Sequence, residues 1–223
     1  MNIRLGHRLS DLRPTLHNGP GWRVSFWVQG CRHRCTERCL NPHYLDPAAG
    51  FEYAVGEVFE AIRAAAGAAP EPAEGVTVLG GEPFEQGAAV AAVLEPLRRA
   101  GLSAMVYSGR VHEGLRADPD PGIAALLAQT DLLVDGPFLP AFYSESVPWR
   151  GSTNQRLLCL TERYSPERLA GAAAEQGKGF SLRVGGGHLS ASGLQTPTGT
   201  AAVARAFGLP VLDPVLAAQE APV

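Results

Sequence analysis

Two hydrophobic periods alternate along this sequence and mark it as an α/β protein with a parallel sheet. From residue 22 to about 138, β-branched apolar runs take turns with stretches of helical spacing. Segments rich in Pro, Gly and Ser separate them. The 223 residues suffice for one large domain with a buried core.

WRVSFWVQG (22–30) reads as a buried strand. In 54–66, Val55, Val58, Phe59, Ile62 and Ala66 share one helix face. VTVLGG (76–81) is a short strand ending in two glycines. Residues 84–100 predict a second helix, which Pro96 kinks or restarts. SAMVYSG (103–109) predicts a strand, GIAALLAQ (122–129) a helix, and LLVDGPF (132–138) and QRLLCL (155–160) two more strands. The segments 43–53, 67–75 and 139–153 read as loops. FSLRV and HLSAS flank Gly185-Gly186-Gly187 as a terminal β-hairpin. That glycine run lacks the strand-to-helix setting of a phosphate loop. No repeat or linker interrupts the chain. One domain is expected over 1–207, with a core at 15–160 and a helix and hairpin extension at 161–207. The Pro-rich tail 208–223 is expected to be poorly ordered.

The composition is 45% hydrophobic and 18% charged, with a formal net charge of −3. No global basic field invites nucleic acid. Lys178 is the only lysine. MNIRLGHRLSDLR is charged throughout, unlike a secretory leader. The most apolar windows, 54–69 and 87–97, fall short of the roughly 20 residues a membrane span needs. A cytoplasmic protein is expected, with neither nucleic acid nor membrane as a partner.

GCRHRCTERCLNPH (30–43) carries the chemistry. Cys31, Cys35, Cys39 and His43 follow one another at steps of four. Their charged and polar neighbours are not those of core cysteines, and a cytosolic cluster of this kind more often binds metal. Two metal readings remain. All four residues would make a closed Cys₃His zinc site, although both gaps between cysteines are wider than usual for zinc. The three thiols alone would hold an iron–sulfur cluster with one iron left open. Cys159 could be a fourth ligand, but in the apolar run LLCL it reads rather as a buried structural thiol.

The surrounding motifs discriminate. HNGPGWRVSFWVQGC (17–31), the cysteine loop, LNP (40–42) and VLGGEPFEQ (78–86) occur in that order. Together they resemble the radical S-adenosylmethionine enzymes. VDGPF (134–138) and RGSTNQR (150–156) narrow the resemblance to activating proteins of anaerobic ribonucleotide reductase and related glycyl-radical enzymes. The resemblance runs from about residue 15 to 160.

It implies a partial, open (β/α) barrel of about six units. It implies a [4Fe–4S] cluster on Cys31, Cys35 and Cys39, with S-adenosylmethionine chelating the fourth iron. Reductive cleavage would give methionine and a 5′-deoxyadenosyl radical, which takes a hydrogen atom from a glycine of the partner. A low-potential carrier of flavodoxin or ferredoxin type would supply the electron. Gly80 and Gly81 would let backbone approach the cofactor, with Pro83 closing the GGEP motif. Glu82 would pair with the methionine ammonium. Equivalents of Ser108 and Asp135 line the pocket in similar enzymes; their plainer readings are a turn residue for Ser108 and a helix cap or surface turn for Asp135. Arg150 and its segment either face substrate or order the loop.

The spacing departs from the family pattern: three residues separate Cys35 from Cys39 where two are usual, which predicts a bulge there. Arg38 stands where an aromatic residue is common. Arg32, His33, Arg34 and Arg38 make the loop cationic, either as a solvated face or as a landing surface for an acidic partner. Two rival functions stand beside activation. One is a radical enzyme of this fold acting on a small molecule or peptide. The other is a non-catalytic zinc or cluster module, which would need His43.

Overall fold

The computed structural model describes residues 1–176 and the backbone of 180–185 and 188–193. The expected tail at 208–223 lies outside the described residues, as does the turn at Gly186-Gly187. Ten strands and five α-helices are described. They run β1 (Asn2–Leu5), β2 (Pro14–Thr15), β3 (Arg23–Val28), β4 (Phe51–Ala54), α1 (Val55–Gly67), β5 (Gly75–Gly80), α2 (Gly87–Arg99), β6 (Ser103–Tyr107), α3 (His112–Ala117), α4 (Pro121–Ala128), β7 (Leu132–Asp135), β8 (Arg156–Cys159), α5 (Pro166–Gln176), β9 (Phe180–Gly185) and β10 (His188–Gly193).

Eight strands form one sheet, in the order β4-β1-β3-β5-β6-β7-β8, with β2 on β3. Its centre is parallel: β3, β5, β6 and β7 pair in register from Arg23↔Gly75 to Tyr107↔Val134. Helices connect these strands, so the α/β reading holds. The described residues do not carry the parallel pattern to six units. β8 returns antiparallel to β7, and β1 and β4 extend the other edge antiparallel. The 20-residue loop between β7 and β8 contains only a short 3-10 turn at 140–142 and no crossover α-helix, so the chain reverses. β9 and β10 pair as the expected hairpin.

Strand alternation splits the molecule into two faces. Val24, Phe26 and Val28 of β3 and Val76 and Val78 of β5 pack with Val58, Ile62, Val90, Leu94 and Leu97 of the helices. The period-2 and period-3.6 patterns meet there. α1 lacks a capping side chain at Ala54, but Glu57 accepts the Ala54 N–H at 2.8 Å. Asp120 caps α4 through the Gly122 N–H at 2.7 Å, with Pro121 in the first turn. α2 runs through Pro96 for three further residues before it ends.

The opposite face is partly polar. Met105, Leu132 and Val134 pack with Tyr164 and Leu169. Beside them Arg23 is fully buried. Its guanidinium donates to Thr77 Oγ1 (2.8 Å), Ser103 Oγ (2.9 Å) and the Val76 carbonyl (2.7 Å). Tyr164 links it to Glu74 at 2.7 Å. This plug fills the amino end of the sheet face. Arg23→Met removes these donors, and although Ser103 Oγ keeps the Tyr164 hydroxyl and Thr77 Oγ1 its bond to the Asn18 carbonyl, the lost buried bonds should cost about 3 kcal/mol. Urea denaturation should show a lower midpoint with an unchanged m value.

Candidate metal centre

All the motifs gather at the carboxyl edge of the parallel strands. The cysteine loop follows Val28, GGEP follows β5, Ser108-Gly109 follows β6, and Gly136-Pro137 follows Asp135 at the end of β7. Ligands of α/β sheets bind at this edge.

The loop is held as a lobe. At its root, Gly30 N–H donates to the Tyr44 carbonyl (2.8 Å) and Cys31 N–H to the Leu45 carbonyl (3.1 Å). Gln29 Nε2 donates to the His43 and Asp46 carbonyls at 3.1 and 2.8 Å. Glu85 accepts the Arg32 and His33 N–H groups at 2.6 and 3.1 Å, between the first two cysteines. The bulge expected between Cys35 and Cys39 is a turn closed by Thr36 Oγ1 accepting the Arg38 N–H at 3.2 Å. Cys39 Sγ accepts the Asn41 N–H at 3.3 Å.

Cys31 is buried, and Cys35 and Cys39 are half-buried. A Cβ placed on Gly109 would lie 3.1 Å from Cys35 Sγ. The His33 ring donates from Nε2 to the Gly109 carbonyl at 3.2 Å. Cys35 therefore sits against the β6 turn. Burial pushes all three thiols up; the Glu82 charge adds to this at Cys31 and Cys35, and Cys35 adds to it at Cys39. A bound cation reverses that logic and favours thiolates.

Glu82 is buried beneath the loop. Its carboxylate accepts from Phe84 N–H (3.1 Å), Ser108 Oγ (3.0 Å) and Gly109 N–H (3.0 Å). Burial raises its pKa to about 7, against the lowering effect of those hydrogen bonds. Ser108 thus touches the site through Glu82, and it also accepts the Arg110 N–H at 3.0 Å. Pro83 opens the short 3-10 turn at 83–86 that Glu82 caps.

Both glycines sit where backbone segments come close together. Gly80 has φ 110, and a Cβ there would lie 2.3 Å from the Val28 carbonyl. A Cβ on Gly81 would lie 2.0 Å from the Gly30 carbonyl. Protein backbone presses on them, and the contact locks GGEP to the root of the cysteine loop.

Asp135 is fully buried and accepts the His112 N–H at 2.7 Å, at the start of α3. It also pairs with Arg156, which bonds Glu113 at 2.8 and 3.0 Å. The plainer reading, a helix cap, describes these contacts. The 150–156 segment is tied to the β7 turn: Asn154 Nδ2 donates to the Pro137 carbonyl (2.8 Å) and Gln155 Nε2 to the Gly136 carbonyl (3.2 Å). Arg150 bonds the Pro148 and Gln155 carbonyls, so its contacts order the loop.

Cys159 pairs with Leu132, at the start of β7, and so stands at the opposite edge of the sheet. It is half-buried rather than buried, and it offers the loop no fourth thiol. Among the described residues, no three His, Cys, Asp or Glu side chains converge on a single ion. A cubane cluster asks for something else, because each thiolate binds a different iron and the ligands surround a group. His43 is exposed on its short turn. Three thiols on one lobe, without a fourth, fit such a cluster.

The sequence profile of the 4Fe-4S single cluster domain matches residues 17–158. The chain belongs to that family. It is also similar to two anaerobic ribonucleoside-triphosphate reductase-activating proteins. The one from Vibrio cholerae serotype O1 is 32% identical over 139 residues, 62% of this chain and 88% of that protein. The one from Enterobacteria phage T4 is 28% identical over 163 residues, 65% of this chain and 88% of that protein. The resemblance read from the motifs is therefore borne out. Membership of the 4Fe-4S family favours iron–sulfur over zinc as the group this loop holds. Among the described residues, no helix is long and apolar enough to cross a membrane.

Sequence reading missed Glu85, Gln29 and Gln86. Gln86 bridges the Arg4 and Gln29 carbonyls at 2.9 and 3.0 Å and so fastens the loop root to β1. Glu85 lies within the quoted VLGGEPFEQ, three residues after Glu82, but nothing local announces that its carboxylate caps a distant loop.

Proposed function

We propose that this 4Fe-4S protein is a radical S-adenosylmethionine enzyme that activates a glycyl-radical partner of the anaerobic ribonucleotide reductase class. One observation carries the reading: three thiols without a fourth sit beside a buried carboxylate, Glu82, that among the described residues pairs with no Arg, Lys or His. Bound together, the cluster and S-adenosylmethionine supply reductive carbon–sulfur cleavage and a 5′-deoxyadenosyl radical. The protein's own residues bind and orient. Cys31, Cys35 and Cys39 hold the cluster. Glu82 keeps acceptor capacity beyond its three donors and takes the methionine ammonium. Ser108 and the Gly109 N–H fix the Glu82 carboxylate, and Gly80, Gly81 and Pro83 hold it at the loop root. Asp135, through Arg156 and α3, sets the wall of the cofactor site at the β7 turn. The partial barrel, with residues 1–207 as one domain, presents this edge to the partner.

The similarity to two reductase-activating proteins supports the choice of partner. The test is anaerobic. The reconstituted protein is mixed with a candidate reductase, S-adenosylmethionine and a reductant, and electron paramagnetic resonance reads the mixture. A glycyl radical on the reductase that requires S-adenosylmethionine is expected. A silent reductase, with S-adenosylmethionine still consumed, would assign the chemistry to another substrate.

A further inference from the structure

We propose that Arg32, Arg34 and Arg38 form a docking surface for an acidic one-electron carrier protein. The inference rests on the function proposed above, and it names the partner from which the cysteine loop receives its electron.

Three observations carry it. First, all three arginines are exposed, and among the described residues none of their side chains pairs with a carboxylate. Elsewhere among the described residues, Arg4, Arg63, Arg98, Arg99, Arg110, Arg156 and Arg168 do, while others, Arg23 and Arg150 among them, do not. Secondly, the charge is local. Residues 30–43 hold three arginines against Glu37, a net of +2, so the rest of the chain carries −5 of the total −3. A basic lobe on an acidic body orients an acidic partner onto the lobe. Thirdly, the arginines interleave with the cysteines. Arg34 precedes Cys35, Arg38 precedes Cys39, and Arg32 follows Cys31. One residue spans about 3.5 Å of chain, so each arginine's backbone lies next to that of a cysteine assigned to the cluster.

The lobe is built to keep this display. Glu85 and Thr36 hold its backbone at Arg32, His33 and Arg38. Arg34 takes φ 41, a left-handed conformation that costs a non-glycine residue energy. Among the described residues, no carboxylate pairs with the guanidiniums themselves. In the step served, one electron leaves the reduced carrier and one arrives at the group that Cys31, Cys35 and Cys39 hold, so the carrier is oxidised by one electron.

The experiment compares the cluster-loaded wild type with the Arg32→Glu, Arg34→Glu, Arg38→Glu triple variant. The probe is an acidic flavodoxin. Calorimetry reads its affinity at low and moderate salt, and dithionite-driven 5′-deoxyadenosine formation is read in parallel. The triple variant should bind flavodoxin at least about tenfold more weakly, and wild-type affinity should fall steeply with salt. Dithionite-driven turnover should stay at the wild-type level. Unchanged flavodoxin affinity in the variant, or wild-type affinity indifferent to salt, would overturn the docking surface. Should the triple variant fail to hold iron, the single Arg→Gln variants are read in the same calorimeter, and three neutralisations without effect would overturn it equally. Wild type that binds flavodoxin but forms no 5′-deoxyadenosine with dithionite would sink the proposed function and leave the docking surface standing.

Discussion

Cys39→Ala should leave the protein unable to hold its cluster, whereas His43→Ala should load iron as the wild type does. The three thiols are the donors on one lobe at the carboxyl edge, and Cys159 stands at the other edge of the sheet. Removing one of three thiolates leaves two irons without a protein ligand. His43 is exposed, and its carbonyl, not its ring, is what the loop uses, through Gln29. The check is iron and sulfide content, with the visible absorption of the reconstituted variants. Cys39→Ala should fall to background and His43→Ala should match wild type. The reverse pattern, with zinc retained only while His43 is present, would make the site Cys₃His.

Glu82 should make the metal-free protein weaken as pH rises. Its folded pKa is about 7, above the ordinary value of 4.5, so the folded state holds the proton more tightly. The cost is absent below the unfolded pKa, grows through the interval and is complete above the folded pKa, at roughly 3 kcal/mol. From about pH 5.5 to about pH 8.5 the expected loss is about 2 kcal/mol. His7 and His17 are lowered by burial and act in the opposite sense. Comparison with Glu82→Gln removes them, since both proteins share them. Denaturant titrations should show wild type losing about 2 kcal/mol relative to the variant across that window. Parallel curves would mean that Glu82 carries no uncompensated charge. The same carboxylate would gain from a bound ammonium, so Glu82→Gln should also weaken S-adenosylmethionine binding most at high pH.

Much of the fold was legible because apolar period and burial coincide. Val24, Phe26 and Val28 alternate in β3, and Val58 and Ile62 repeat along α1, and all five are fully buried. β1 was hidden because Ile3 and Leu5 stand among charged residues in a strand of four. β4 was hidden because FEYA is largely exposed. α3 has six residues, too few to show a period. The antiparallel return of β8 was not legible, because no local pattern encodes the direction in which a strand is paired. At the site, the cysteines and Glu82 announced themselves by spacing and motif. The capping carboxylate of Glu85 and the Arg156 partner of Asp135 did not, since each acts across more than 20 residues of sequence.

The first measurement is anaerobic cleavage of S-adenosylmethionine by the protein reconstituted with iron and sulfide and reduced with dithionite. Formation of 5′-deoxyadenosine by wild type and by His43→Ala, and its loss in Cys31→Ala, Cys35→Ala and Cys39→Ala, is the outcome this site predicts. A colourless protein that forms no 5′-deoxyadenosine and keeps stoichiometric zinc through His43 would contradict it.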